Sequence, residues 1–523
     1  MKSLSLDGER LTLGQLADIA YNRSKVELSS IAKQKIDRAR GVVDAWLKSG
    51  ETIYGVTTGF GEFSNVSVSA EKLDELQENL ILSHAVGAGE LLPVEIVRAM
   101  MALRVNALAK GYSGVRLETV KTIVDMLNRN IVPMIPSQGS VGASGDLVQL
   151  AHLVLAMMGK GKVFSGAGPG NSNGSGISSR SALRANRIRP AELKAKEGLA
   201  LINGTQMMTA FTALAVHRAK NLLKAADIAG ALSVEALRGS DTPYDARIQN
   251  VRPHRGQKLV ASNLRRMIHG SEIRESHRFN DSRVQDAYSM RCIPQVHGAS
   301  RDAVGYVAGV VDVEMNSAND NPLIFARQGI HLEGGNFHGQ PIALSADFLA
   351  IALSELANIS ERRIERLVNG SLSGLPRFLT EKGGLHSGLM IAQYTAASIV
   401  SENKVLCHPA SVDSIPTSAN QEDHNSMGSI GAQKAWRVLR NAETVIAIEL
   451  LCGAQGLDFA RTYNTDAPMK AGRGTEAAFR HIRKSIDHLD RDRVLHGEIQ
   501  KMYSMVFDTT LVESVERAIG TLD

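Results

Sequence analysis

Small residues crowd the stretch Gly139-Ser140-Val141-Gly142-Ala143-Ser144-Gly145-Asp146, and within it Ser144 is a candidate nucleophile. A nucleophile elbow carries glycine two residues before and two after its serine. Gly142 meets the first condition and Asp146 breaks the second. A phosphate-binding loop ends in Gly-Lys-Ser or Gly-Lys-Thr, which is absent. An ordinary tight loop is the third reading. A second glycine-rich stretch, Tyr54-Gly55-Val56-Thr57-Thr58-Gly59-Phe60-Gly61, can fold closely around a ligand, with Tyr54 as an acid–base group or a packed aromatic. Several other segments are polar or glycine-rich punctuation, each by itself a turn or a solvated loop. They are Ser83-His84, Asn203-Gly204, the run from Gln285 through Tyr288 to Arg291, the run holding Phe337, and Gln421-Glu422-Asp423-His424. The last makes a poor metal set, because adjacent residues diverge in direction. No His-Glu-x-x-His helix occurs, and no metal is expected.

Pattern and punctuation give the elements that must hold these groups. Residues 133–138 are extended and proline-stiffened, 139–145 form a tight loop, and the apolar run 147–158, stopped by Gly159, is a buried helix. Asp146 is the expected N-cap, which sets Ala143-Ser144-Gly145 at the positive end of that helix. Leu4, Leu6, Leu11 and Leu13 alternate partially around Asp7-Gly8 and predict a small hairpin. Helical spacing follows at Ile31, Ile36, Val43 and Leu47, at Leu73, Leu76 and Leu80, and at Val120, Ile123, Val124 and Leu127. Residues 165–179, rich in glycine, serine and asparagine, read as a surface loop. Segments 341–367 and 432–451 are apolar on most faces, as helices buried in a bundle or between subunits are. The chain therefore divides into a smaller, loop-rich α domain over 1–200 and a long-helix bundle over 201–523.

Composition sets the bounds. In 523 residues, 43% hydrophobic content supplies a sizeable core, while only 4% aromatic content with abundant Ala, Leu and Gly favours helix packed on helix. The fold class is mainly α. Cys292, Cys407 and Cys452 are too scattered for a disulfide framework or a zinc site, which suits a reducing cytoplasm. The first residues lack the apolar core of a signal peptide. Ser345, Asp347, Ser354 and Glu355 interrupt the longest apolar-rich run, so no membrane span is expected. A net charge of +5 without a basic, aromatic-interleaved block argues against nucleic acid as a partner.

The stretch GSVGASGDLVQLAHL closely resembles the core motif of the histidine/phenylalanine/tyrosine ammonia-lyase and aminomutase family, and the resemblance runs nearly the whole chain. It implies that Ala143-Ser144-Gly145 cyclises. The Gly145 nitrogen attacks the Ala143 carbonyl, and loss of water leaves 4-methylideneimidazol-5-one (MIO), an electrophile made from backbone. No metal or diffusible cofactor is then required. The resemblance also implies Tyr54 as catalytic base, Tyr288 and Gln285 as groups ordering the electrophile and the substrate carboxylate, and Arg291 as the carboxylate fork. Asn203 and Phe337 would line the same pocket, with Gly61 and Gln421 supporting its loops. The family's homotetramers, with active sites shared between chains, are expected here too. Thr57, where Asn is usual, and His297 depart from the commonest pattern.

The substrate class follows from two positions. His-Pro-Ala-Ser-Val-Asp-Ser-Ile-Pro-Thr-Ser-Ala-Asn at 408–420 and Gln-Glu-Asp-His at 421–424 resemble the family's histidine-acting branch. Glu422 would accept a hydrogen bond from an imidazole N–H, and His84 would meet the ring's other side. Against a phenyl ring the same carboxylate would stay unpaired, at a cost of roughly 1–3 kcal/mol. The expected reaction is non-oxidative deamination of the small molecule L-histidine to trans-urocanate and ammonia. The alternative is a tyrosine ammonia-lyase or tyrosine 2,3-aminomutase of the same fold, because the Ser83-His84 pair does not exclude tyrosine. A scaffold that has lost activity is disfavoured by the joint presence of the tripeptide, Tyr54 and Arg291.

Overall fold

Helices form where the periodicity places them, and their ends are set by local chemistry. The computed structural model describes residues 3–51, 53–58, 68–164, 176–279, 281 and 283–523. Gly61 and most of the 165–179 loop therefore lie outside the described residues. The helices Ser30–Ser49, Leu73–His84 and Leu117–Asn128 match the three periodic segments, and Gly50 ends the first with φ +75°. Strands among the described residues are short and paired only in twos.

The expected N-terminal hairpin is not formed. Leu4–Leu6 pairs in parallel with Val26–Leu28 instead. Thr12 and Gln15 make a reciprocal capping box, so the segment after the turn starts a helix, Leu13–Ala20, rather than a returning strand.

Compactness divides the chain otherwise than a cut at 200/201 does. One unit comprises 1–217, 308–347 and 409–433; the second comprises 218–307, 348–408 and 434–523. The reason is helix length: Gln206–Ala236, Ile293–Met315, Gln340–Val368 and Gly428–Arg461 each contribute residues to both units. By length and composition Gln340–Val368 is apolar enough to cross a membrane, yet 72% of its apolar window is buried within the protein.

The first unit is built around the helix Val94–Ala109, buried on nearly every face, against which Leu13–Ala20, Ser30–Ser49 and Leu117–Asn128 pack. With no solvent face, its arginines must find internal partners. Arg98 donates to Ile19 O (2.9 Å) and Leu127 O (3.2 Å), and Arg104 donates to Asn203 O (2.8 Å). In the second unit, Arg363 forms a buried pair with Glu449 and Arg218 a buried pair with Glu443. His297, fully buried, joins Asp227 (2.8 Å) to Arg363 (3.3 Å).

Candidate active site

The strand Pro136–Gln138 pairs with Ala88–Leu91 and delivers the chain into the loop that precedes the helix Leu147–Met157. Two distant segments and the loop's own Ser140 fix it. Met427 N donates to Val141 O (2.9 Å) and the Ser426 hydroxyl to Gly142 O (3.1 Å). Gly204 N donates to Ser144 O (3.3 Å), while Asp146 N donates back to Gly204 O (2.8 Å). The Ser140 hydroxyl donates to Gly145 O at 2.7 Å. Gly145 is at φ +75°, and a Cβ there would collide with Gly204 O, so glycine is required by both backbone conformation and space.

Asp146 stands at the N-cap position but does not cap its own helix with its side chain. Its carboxylate accepts from Met207 N (2.8 Å) and Met208 N (3.0 Å), the first turn of Gln206–Ala236, and from the Ser429 hydroxyl (2.7 Å). It thus caps a different helix and welds the loop to two others. Burial raises this carboxyl to about 6, against the opposing pull of those three donors.

Beside the loop lies a cavity of about 540 Å³, within the size range of small-molecule sites. The structure brings together on its wall Tyr54, His84, Ala143, Ser144, Asn203, Phe337, Gln421 and Glu422, all from the first unit. The Ser144 hydroxyl donates to Glu422 Oε1 at 3.2 Å, and Thr417 Oγ1 donates to Glu422 Oε2 at 2.8 Å. Ser144 Oγ is the oxygen that dehydration would remove, so this contact measures how near the carboxylate comes to the Ser144 side-chain carbon. Ser418, Ala419 and Asn420, just before Glu422, all adopt positive φ (+52°, +52°, +69°). A run of left-handed non-glycine residues costs roughly 1–2 kcal/mol each and persists only where the surroundings over-determine it.

His84 shares a hydrogen bond with Ser83 through Nδ1 (3.0 Å). Burial pushes its pKa below the ordinary value, with the Glu422 charge opposing. Thr57 braces the turn that carries Tyr54: its hydroxyl donates to Glu51 O (2.9 Å) and accepts from Ile53 N (2.8 Å). The wall also holds Asn321, Glu333, His338, Asp423 and His424, to which the sequence assigned no role. The His338 and His424 rings stack with centroids 5.7 Å apart. Only their position in glycine-rich or polar loops pointed toward them.

Gln285, Tyr288 and Arg291 belong to the second unit and are not among this cavity's lining residues. There the Arg291 guanidinium lies 4.6 Å from the Tyr288 ring centre, and Tyr288 is 71% exposed. Their turn is held by Arg363, which donates to Ser289 O (3.2 Å), and by the Tyr244 hydroxyl, which donates to Met290 O (3.0 Å).

The residue types of the tripeptide and its surroundings fit a self-formed ring. Glycine stands at the attacking nitrogen, alanine at the attacked carbonyl, and buried Asn203 Oδ1 has no hydrogen-bond partner among the described residues. Among the described residues no group of three or more His, Cys, Asp or Glu is placed to hold a metal ion.

Comparison with known proteins extends these observations. A sequence model of the aromatic amino acid lyases matches residues 11–484. Histidine ammonia-lyase of Alkaliphilus oremlandii is 52% identical over 99% of both chains, and that of Caldanaerobacter subterraneus 54% identical over 97% of both. Among solved structures, histidine ammonia-lyase from Trypanosoma cruzi superposes with a TM-score of 0.90 at 43% identity, covering 99% of this chain and 96% of that one. Tyrosine aminomutase from Streptomyces globisporus gives a TM-score of 0.92 at 36% identity over the full length of both.

Proposed function

The chain belongs to the aromatic amino acid lyase family, and from that premise we propose that it deaminates L-histidine to trans-urocanate and ammonia. The observation that carries the substrate assignment is a carboxylate, Glu422, at 3.2 Å from the Ser144 hydroxyl, on the wall that also presents His84. Glu422 accepts the imidazole N–H, and the half-buried His84 ring meets the other side of the substrate. Ala143, Ser144 and Gly145 would form the MIO ring, which would supply an electrophilic carbon for activating the substrate's amino group as a leaving group.

The remaining chemistry belongs to side chains. Tyr54, as phenolate, takes the β-proton. An ordinary tyrosine titrates near about 10, so the site must favour the anion for this step to run at neutral pH. Asn203 and Phe337 hold the substrate against the loop, and Gln421 supports the turn that carries Glu422. Arg291 forks the substrate carboxylate, with Tyr288 and Gln285 beside it.

In this reading the exposed turn that carries Tyr288 serves the cavity of a neighbouring chain, and assembly into a homotetramer completes each active site. The exposed Leu344, Phe348 and Ile351, at helical spacing on one face of Gln340–Val368, support burial of that face between chains. The three free cysteines suit a cytoplasmic setting.

The test is ultraviolet detection of urocanate from L-histidine, with L-tyrosine run alongside and its products separated by chromatography. Urocanate from histidine, and its loss in Ser144→Ala, is the expected result. Coumarate or β-tyrosine without urocanate overturns the substrate assignment. Restored turnover on mixing Ser144→Ala with Arg291→Ala subunits tests the shared site.

A further inference from the structure

Arg104 lies on the fully buried helix Val94–Ala109 and reaches the catalytic loop through a single peptide unit. Its Nη1 donates to Asn203 O at 2.8 Å. The N–H of that same peptide, on Gly204, donates to Ser144 O at 3.3 Å. Guanidinium, peptide and carbonyl thus form one buried chain of hydrogen bonds.

Burial lowers Arg104 only to about 10, so it remains a cation at neutral pH. No hydrogen bond joins it to a carboxylate among the described residues. The nearby Asp320 carboxylate is instead ion-paired to buried Lys196 at 2.8 Å. The Arg104 Nε and Nη2 groups have no partner among the described residues, so its one hydrogen bond there goes to the Asn203 carbonyl. The approach also depends on bare backbone at Gly204. With φ +146°, a Cβ there would meet Gln206 Oε1 at 2.7 Å, Asn319 Oδ1 at 2.8 Å and Arg104 Nη1 at 3.1 Å.

Ser144 O is the atom on which negative charge collects twice. When Ser144 loses its α-proton during dehydration, the freed pair conjugates onto this carbonyl before hydroxide leaves as water. When a nucleophile's lone pair bonds to the methylidene carbon, the displaced π pair moves to the same oxygen, and a solvent proton later restores neutrality. A donor aimed there stabilises both transition states. A cation that polarises the donor's own peptide strengthens that donor.

We infer that Arg104 is a positioning residue whose charge, relayed through the Asn203–Gly204 peptide, sets the electrophilicity of the ring formed at Ser144. This rests on the lyase reading above.

The experiment compares Arg104→Gln, which keeps a donor without charge, with Arg104→Lys, which keeps charge without the planar fork. Intact mass reports ring formation as the loss of two waters. The rate at which 2-mercaptoethanol adds to the ring, followed by mass, reports electrophilicity without turnover. Thermal melting confirms that each variant is folded. The expected order of thiol-addition rates is wild type, then Lys, then Gln, with Gln slower by roughly two- to eightfold. In turnover, kcat should fall in the same order while KM stays close to that of the wild type. A ring that forms in the Lys variant but not in an equally folded Gln variant supports the same relay, since dehydration loads the same oxygen. A ringed Gln variant that adds thiol as fast as wild type overturns the inference, as does a ring absent from both folded variants. Failure of the wild type to lose two waters would overturn the lyase reading instead.

Discussion

Replacing Glu422 by Gln changes one oxygen to nitrogen and tests substrate choice at the carboxylate that accepts from the Ser144 hydroxyl. In the structure this carboxylate accepts two hydroxyl donors, from Ser144 and Thr417, at 3.2 and 2.8 Å. A glutamine can keep the Thr417 contact, so the loop should stay folded. A hydrogen bond to a charged acceptor is worth about 1.5–3 kcal/mol and a neutral one about 0.5–1.5. If the new amide turns its oxygen toward the imidazole N–H, the loss is the difference, about 1–1.5 kcal/mol, or roughly 5- to 12-fold in kcat/KM. If Thr417 retains that oxygen, donor faces donor, and the whole charged bond is lost, roughly 12- to 150-fold. The assay is the initial rate of urocanate formation across histidine concentrations, with intact mass confirming that the ring has formed. A ringed Glu422→Gln enzyme whose kcat/KM for histidine lies within about twofold of wild type would refute the reasoning, because either geometry predicts a larger loss.

Three further outcomes follow from the same geometry. Tyr54→Phe should form the ring normally by mass yet lose roughly 10²–10⁴ in kcat with little change in KM; near-normal turnover would remove Tyr54 as the base. Gly145→Ala should retain its encoded mass, because a Cβ there collides with Gly204 O and the residue sits at positive φ; a product two waters lighter would contradict this. His297 donates through Nδ1 to Asp227 and accepts through Nε2 from Arg363, an arrangement only the neutral ring allows, and burial lowers its pKa. A lowered pKa means the unfolded chain binds the proton first, so stability present above the ordinary histidine range is lost as pH falls below it. Thermal melting of His297→Gln should show a flatter acid limb than wild type, and parallel curves would exclude His297 as the source.

Legibility in the sequence depended on whether a signal is local. The order of extended segment, small-residue loop and apolar helix around Ala143-Ser144-Gly145 can be read from neighbours alone, and the structure has that order. The helix ends at Gly50 and before Gly159 are likewise local. The hairpin failed because two readings competed over the same residues. A turn dipeptide at Asp7-Gly8 favoured a returning strand, while the Thr12–Gln15 capping box five residues later favoured a helix, and the box won. Asp146 shows the other kind of limit. Its position as an N-cap was readable, but its side chain serves Met207, Met208 and Ser429, and nothing within sixty residues announces that. The Arg104 relay was invisible for the same reason: an arginine amid apolar helix residues predicts some buried partner, not which one.

The non-local contacts bear on why such a loop can do chemistry on itself. For a backbone nitrogen to attack a carbonyl two residues back, the peptide must be held in a conformation that a free chain visits rarely. Here the hold is distributed: residues 426–427 grip 141–142, Gly204 grips 144 and 146, Ser140 grips 145, and Asp146 ties the loop to the start of one long helix and, through Ser429, to another. Each bond alone contributes about 1 kcal/mol, and strain of the order of a few kcal/mol persists only where several act together. Every one of these grips comes from the same compact unit. Ring formation should therefore require that unit to be folded, and loosening any single grip should slow ring formation before it unfolds the chain.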